Sequence, residues 1–363
     1  MSTGFTKTAG RKNGKTNGMP SKLTLNPSTR KRLEQGNLPT PMIPMGSSLS
    51  DQSIAVRRKI ETLATTLNLP TVRRALGALE GEHPSSRGDG GADPISTRDY
   101  TEEDEARLID WKLSARTGRP MITDRERLVT SRIWLMLDVG IQMNGACPSG
   151  ERAWEVGANA LSMFAALSCR RHDTISLVLA NNRAITRIPT KGGLAQFERA
   201  LDKGLERMPN AEGNLDALIA YANAHTDDGS MVVIATDETS LEERHIDRLR
   251  AIGVNHHLTI IDIATLNPFA PAPTPGTTVT DAYSGRRIPA FMKDAKAADE
   301  VRTHREYVAA QFDKELRGLG ASTLRASGSI AMFDNFVSMV SASLKYSRAN
   351  GPSLLSKTGG TSR

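Results

Sequence analysis

The feature that most restricts how this chain can fold is a series of short apolar runs, beginning at Ser131, separated by amphipathic stretches. RIWLMLDV (132–139), TISLVLA (174–180), SMVVIATD (230–237) and HHLTIIDI (256–263) are each of strand length. They are too short for helices, and the absence of polar alternation marks strands buried on both faces. Helical periodicity fills the intervals at about 151–171, 194–207, 215–225 and 241–252. In the first of these, Trp154, Ala158, Leu161 and Ala165 share one face. AITRIP (184–189) follows the second strand across the turn sequence NNR (181–183), which predicts a hairpin and an antiparallel edge strand. A Pro-rich loop (266–276) leads to a hairpin turning at Ser284–Gly285. A charged helix (294–319), a strand STLRAS (322–327) and a helix ending near Tyr346 complete the pattern.

Strands of this kind alternating with helices predict an α/β domain over 131–346, Rossmann-like, with a mostly parallel sheet and helices on both faces. Right-handed crossovers limit the strand order. In such sheets ligands bind beyond the carboxyl ends of the strands, where the order reverses. The strands ending at Asp138 and Asp237 flank that point, so both carboxylates are expected in one crevice.

The net charge of +7 is confined to one end. Residues 1–50 hold eight basic side chains (Lys7, Arg11, Lys12, Lys15, Lys22, Arg30, Lys31, Arg32) against the single acid Glu34, so residues 51–363 are neutral overall. This segment, rich in Ser, Thr, Gly, Asn and Pro, reads as a disordered basic tail. With Phe5 as its sole aromatic it lacks the stacking groups of a nucleic-acid binder, so nucleic acid is not the expected partner. Order is expected from about Ser50. Val56, Ile60, Leu63 and Leu67 recur at helical spacing behind the cap candidate Ser53, and Pro70 ends the pattern. A short helix (72–79) and the loop GEHPSSRGDGGADP (81–94) follow. Residues 51–130 thus read as a helical, then irregular, segment preceding the α/β domain, and 347–363 as a loose tail.

Several function classes lack their residues. Cys147 and Cys169 form neither a disulfide framework nor a metal-ligand spacing, and they fit a reducing cytoplasm. No run of about 18 apolar residues occurs, so no membrane span is predicted. There is no P-loop, no Gly–x–Ser–x–Gly elbow and no His–Glu–x–x–His helix, and the seven histidines are scattered. The chain is expected to be non-catalytic.

Between Arg98 and Arg127 stand seven basic and eight acidic residues around Tyr100, Leu108, Ile109 and Trp111. Dense charge of both signs predicts mutual pairing that fixes an irregular segment, more than a catalytic cluster of Asp104, Asp110 and Arg116. The run STRDYTEEDEARLIDWKLSARTGRP, carrying Arg98, Tyr100, Asp104, Arg107, Asp110, Trp111 and Arg116, is followed closely by WLMLDVGIQM. Further on come RRHDTISLVL, MVVIATD and DAYSGR. Together these resemble the bacterial domain-of-unknown-function 58 family over residues 68–346. The resemblance implies a von Willebrand factor A-like domain and an association with MoxR-type AAA+ ATPases. The expected role is then a protein-interaction module in complex assembly or regulation. Two alternatives are a metal-dependent hydrolase using Asp138 and Asp237, and weak nucleic-acid binding through the tail.

Von Willebrand-like domains commonly hold Mg²⁺ through Asp–x–Ser–x–Ser, a Thr on a later loop and a second Asp. Here the first motif reads Asp138–Val139–Gly140–Ile141–Gln142, Asn214 stands near the Thr position, and Asp237 matches the second acid. Gly140 and Gln142 remove both hydroxyls, and two carboxylates alone make a poor octahedral cage. The resemblance therefore implies a degenerate metal site: no cofactor is expected, with weak Mg²⁺ binding through Asp138 and Asp237 as the alternative. Asp138, Gly140, Gln142, Asn214 and Asp237 are the expected lining of a binding crevice.

Overall fold

The computed structural model describes residues 39–43, 49–67, 69–80, 94–101, 109–125, 131–271 and 278–349. Its centre is a six-stranded sheet. The strands are β4 (Arg132–Asp138), β5 (Thr174–Ala180), β6 (Ile185–Thr190), β7 (Met231–Asp237), β8 (His257–Ile263) and β10 (Ser322–Ala326). They lie side by side in the order β10-β8-β7-β4-β5-β6. All neighbours run parallel except β5 and β6, which form the expected antiparallel hairpin. The chain is thus α/β, with a mostly parallel sheet covered by helices.

Strand alternation divides the core in two. Ile133, Leu135 and Leu137 of β4, with Val233 and Ala235 of β7, face one layer of helices. That layer comprises α1 (Asp51–Thr66), α2 (Leu69–Glu80), α4 (Ala153–Arg171), α5 (Leu194–Arg207) and α9 (Ser329–Ala349). Trp134 and Met136 face the other layer, where α6 (Leu215–His225), α7 (Ile246–Asn255) and α8 (Ala295–Arg317) pack.

The helix α4 departs from its amphipathic reading. It is buried on every side, because the sheet lies beneath it and α1, α2 and α9 lie against its outer face. A Cβ on Gly157 would come 2.7 Å from Leu137 Cδ1, so this glycine sets the close approach of helix to sheet. Val56, Ile60, Val72 and Leu76 complete the same core. Residues 51–80, expected within a separate preceding segment, are therefore packed into the α/β body.

Buried polar groups fasten these helices together. Asn159 Nδ2 donates to Ser53 Oγ and Ser329 Oγ, both at 2.9 Å. Arg57 bridges to Asp202 on α5 at 2.8 and 2.9 Å. Glu151 and Glu155, both fully buried, accept from the backbone amides of Ser329 (2.8 Å) and Ser50 (3.4 Å). The acidic side chains meet the N-terminal ends of α9 and α1, where amide hydrogens lack intrahelical partners.

Four expectations change in detail. The cap of α1 is Ser50, whose side chain accepts from the Ser53 amide, while Ser53 itself lies inside the helix. Order also reaches further toward the N-terminus than Ser50, contrary to a disordered segment over all of 1–50. Pro41–Met42 forms β1, antiparallel to β9 (Thr280–Asp281). Residues 1–38 lie outside the described residues. The turn at Ser284–Gly285 exists, with Gly285 at φ 66°, but its flanking pairing is limited to β9 and a single bridge from Thr280 to Arg287. The irregular part of 51–130 contains a two-stranded antiparallel ribbon, β2 (Pro94–Asp99) with β3 (Met121–Arg125), and a short helix α3 (Trp111–Thr117).

Candidate functional site

Parallel pairing of β4 with β7 brings Asp138 and Asp237 to neighbouring strand ends, at the point where the chain order reverses. Both side chains are buried. Asp138 accepts from the Gly140 amide at 2.9 Å, from Gln142 Nε2 at 3.0 Å and from Thr236 Oγ1 at 3.2 Å. Asp237 accepts from the Thr239 amide at 2.9 Å, from Ser240 Oγ at 2.6 Å and from the Thr239 hydroxyl.

Burial, reinforced by repulsion from Asp237, pushes Asp138 up from 3.8 to about 7, against the lowering effect of its three hydrogen bonds. Burial also raises Asp237, opposed by its bonds from Ser240 and Thr239.

The placement of Gln142 decides what this pair can hold. Its Oε1 accepts from the Gly213 amide at 3.0 Å, and a backbone N–H can only donate. The carboxamide is thereby oriented with Nε2 toward Asp138 and Ser240 Oγ (3.3 Å). Gln142 presents hydrogens, not oxygen, to the carboxylate, so its amide oxygen is turned away from any cation there. Gly140 is needed for the same arrangement, because a Cβ would overlap Gln142 Oε1 and the Gly213 backbone. The donor set does not fit an octahedral Mg²⁺. Asn214 is not aimed at the acids: its side chain caps α6, accepting from the Ala217 amide at 2.9 Å.

A second polar group, missed in the sequence, adjoins the first. Thr236, Asp262 and Arg325 are register partners across β7, β8 and β10, so they share one face of the sheet. Arg325 pairs with both Asp262 and Glu238, and Glu238 also takes Arg305 from α8 at 2.6 Å. Glu238 further accepts from the Thr265 amide at 2.9 Å. Burial raises Asp262 to about 6 despite Arg325. The readable signal was Asp262, an acid inside the apolar run of β8.

The second group borders a cleft of about 2360 Å³ that passes between α8, the turn leading into α7 and the sheet. Of the expected crevice lining, Gln142 and Asn214 reach this cleft, whereas Asp138, Gly140 and Asp237 do not line it, the two acids being buried under their own hydrogen-bond donors. At its rim stands Tyr283, from the DAYSGR segment. Asp281 fixes that turn by accepting from the amides of Thr40 (2.9 Å) and Ser284 (3.0 Å). Burial and the surrounding carboxylates Asp237, Glu212, Asp138 and Asp281 push the Tyr283 hydroxyl up to about 12.

The family-signature residues have other positions. Arg98 lies on β2, and Asp104 and Arg107 fall outside the described residues. The Tyr100 amide donates to the Pro120 carbonyl at 3.0 Å. Asp110 caps α3 by accepting from the Leu113 amide at 3.0 Å, while Trp111 and Arg116 are exposed on that helix.

An α/β protein with a parallel sheet and an acid-lined crevice at its carboxyl edge is the class these features define. The family model described as "Protein of unknown function DUF58" matches residues 96–289, and the chain belongs to that family. Uncharacterized proteins of Mycobacterium tuberculosis and Mycobacterium bovis are 26% identical over 275 residues, covering 73% of this chain and 84% of theirs. Among solved structures, an aerotolerance-related membrane protein from Bacteroides fragilis matches at 13% identity and a TM-score of 0.31, covering 51% of this chain and 99% of that one. Among the described residues of the present chain, no helix is long and apolar enough to cross a membrane.

Proposed function

We propose that this protein is a non-catalytic, von Willebrand factor A-like interaction module that works in the cytoplasm with a MoxR-type AAA+ ATPase in assembling or regulating a complex. The crevice at the carboxyl edge is its principal docking surface, and the signature segment around Trp111 is a second. The observation that carries this reading is the state of the acid pair. Both carboxylates take their hydrogen bonds from the protein's own groups, in a crevice whose rim exposes Tyr283. Such a rim offers contact area and a hydroxyl to a partner. The AAA+ partner follows from the family resemblance, an associational argument.

The test is affinity purification of the tagged full chain from its host after crosslinking, in parallel with Tyr283→Ala. The expected result is enrichment of an AAA+ ATPase with the wild-type chain and a loss of it with the variant. Repeated failure to recover any such ATPase under crosslinking would sink this reading.

A further inference from the structure

The helix α3 presents a large aromatic ring with little packed on it among the described residues. Trp111 is 70% exposed, whereas Trp134 in the core is 1% exposed. The exposure is not that of a loose end. Asp110 caps the helix, the Ser114 hydroxyl donates to the Asp110 carbonyl at 2.7 Å and accepts from the Met121 amide at 2.8 Å, and Gly118 at φ 74° closes the last turn. A seven-residue helix is thus locked onto the ribbon, and its indole is held outward. Lys112, next to the indole in sequence, and Arg116 stand one turn apart on the same helix, and both are exposed. Neither is ion-paired among the described residues, whereas Arg119, just past the helix, pairs with Asp99 at 3.1 Å. An exposed Trp with neighbouring cations has the composition of an interface anchor. Its complement is a hollow with a carboxylate rim.

The same chain carries such a hollow. The crevice rim holds Glu212, Asp281 and the half-exposed Tyr283, with Glu238 and Asp262 also in its lining. We propose that α3 of one chain docks, Trp111 first, into the acid-rimmed crevice of a second copy. The inference rests on reading the crevice as a docking surface, of which a second copy and the ATPase are alternative occupants. Tyr283 packs against the indole, and the exposed Glu212 meets Lys112. Two different patches are joined, so the copies associate either reciprocally in a closed pair or head to tail in a ring or filament.

Sedimentation velocity of the full chain, over a range of concentrations in roughly 0.05 M and roughly 0.5 M salt, tests the proposal. Self-association that strengthens with concentration and weakens with salt is expected. Trp111→Ala and Glu212→Lys, both at exposed positions, each weaken it by about tenfold or more, with unchanged circular dichroism. The decisive sample is their mixture. Trp111→Ala keeps an intact crevice and Glu212→Lys keeps an intact arm, so together they form one productive interface and stop at a heterodimer. A wild-type chain that stays monomeric throughout, association indifferent to Trp111→Ala, or a mixture that remains monomeric overturns the proposal. None of these outcomes touches the recovery of an AAA+ partner, so the two readings fail separately.

Discussion

Gln142 Nε2 lies 3.0 Å from Asp138 Oδ2, so a neutral donor fills the side of the carboxylate that a cation would need. The bond neutralises nothing; it only satisfies a lone pair. The acid pair therefore keeps its mutual repulsion, and that repulsion can be measured.

Gln142→Glu would place a third carboxylate against the pair. Below about pH 5 protonation absorbs the change, but near pH 8 the variant is expected to be destabilised by roughly 2–4 kcal/mol. Millimolar Mg²⁺ should then raise the melting temperature of the variant and leave the wild type unmoved. Equal responses of the two proteins in a thermal-shift assay would refute the assignment of Gln142 as the blocking group.

The pH dependence follows from the raised values at the crevice. Asp138 rises to about 7 in the folded chain from 3.8, so the native state holds its proton more tightly than the unfolded state. The stabilisation is complete below about pH 4 and is lost as pH rises to about 7. Asp237 and Asp262 shift in the same direction. Urea unfolding should show stability falling between pH 5 and pH 8, with an amplitude that shrinks in Asp138→Asn. A wild-type profile that climbs over that interval would contradict the burial of these acids.

Gly140→Ala tests the fit between two loops far apart in sequence. The new methyl would overlap Gln142 Oε1 and the backbone of Gly213, forcing the loop ahead of α6 outward. A loss of roughly 1–3 kcal/mol is expected. Part of it should be recovered in the double variant Gly140→Ala, Gln142→Ala, because the side chain that clamps Gly213 is gone. Strict additivity of the two substitutions would show that the loops are independent.

Glu238→Ala removes the carboxylate shared by Arg305 and Arg325. Two half-buried guanidinium groups then lose a partner, and roughly 3 kcal/mol of stability should go with it. Glu238→Gln, which retains an acceptor oxygen, should lose less. The comparison is read directly from denaturant midpoints.

Much of the sheet was legible because its strands are apolar throughout, and the antiparallel edge because NNR signals a tight turn. The helix α4 was harder to place. Its sequence shows one apolar face, but Ala, Gly and Ser on the other sides pack just as closely once further helices cover them. The ribbon β2–β3 left no such trace, since a two-stranded sheet need not bury one face and so writes no alternation. The pairing of Pro41–Met42 is two residues long and sits at the end of a segment whose composition argues for disorder. At the site, the meeting of Asp138 with Asp237 follows from topology. The grip of Gly213 on Gln142 joins positions 71 residues apart through a backbone amide, and no side-chain motif records that. The ties of Glu238 to Arg305 and Arg325 span 67 and 87 residues. An acid in an apolar strand advertised a partner without identifying it.

The convergence of two helix ends, those of α1 and α9, on Glu155 and Glu151 has a practical consequence for dissecting the protein. The family match begins at residue 96, yet the cooperative folding unit starts at least as early as the cap at Ser50. A fragment trimmed to the family boundary would uncover the side of α4 that meets Val56, Ile60, Val72 and Leu76, and would strip Glu155 of its Ser50 amide. The boundary drawn by sequence similarity therefore differs from the boundary drawn by packing, and a fragment intended to fold alone should be cut at the second.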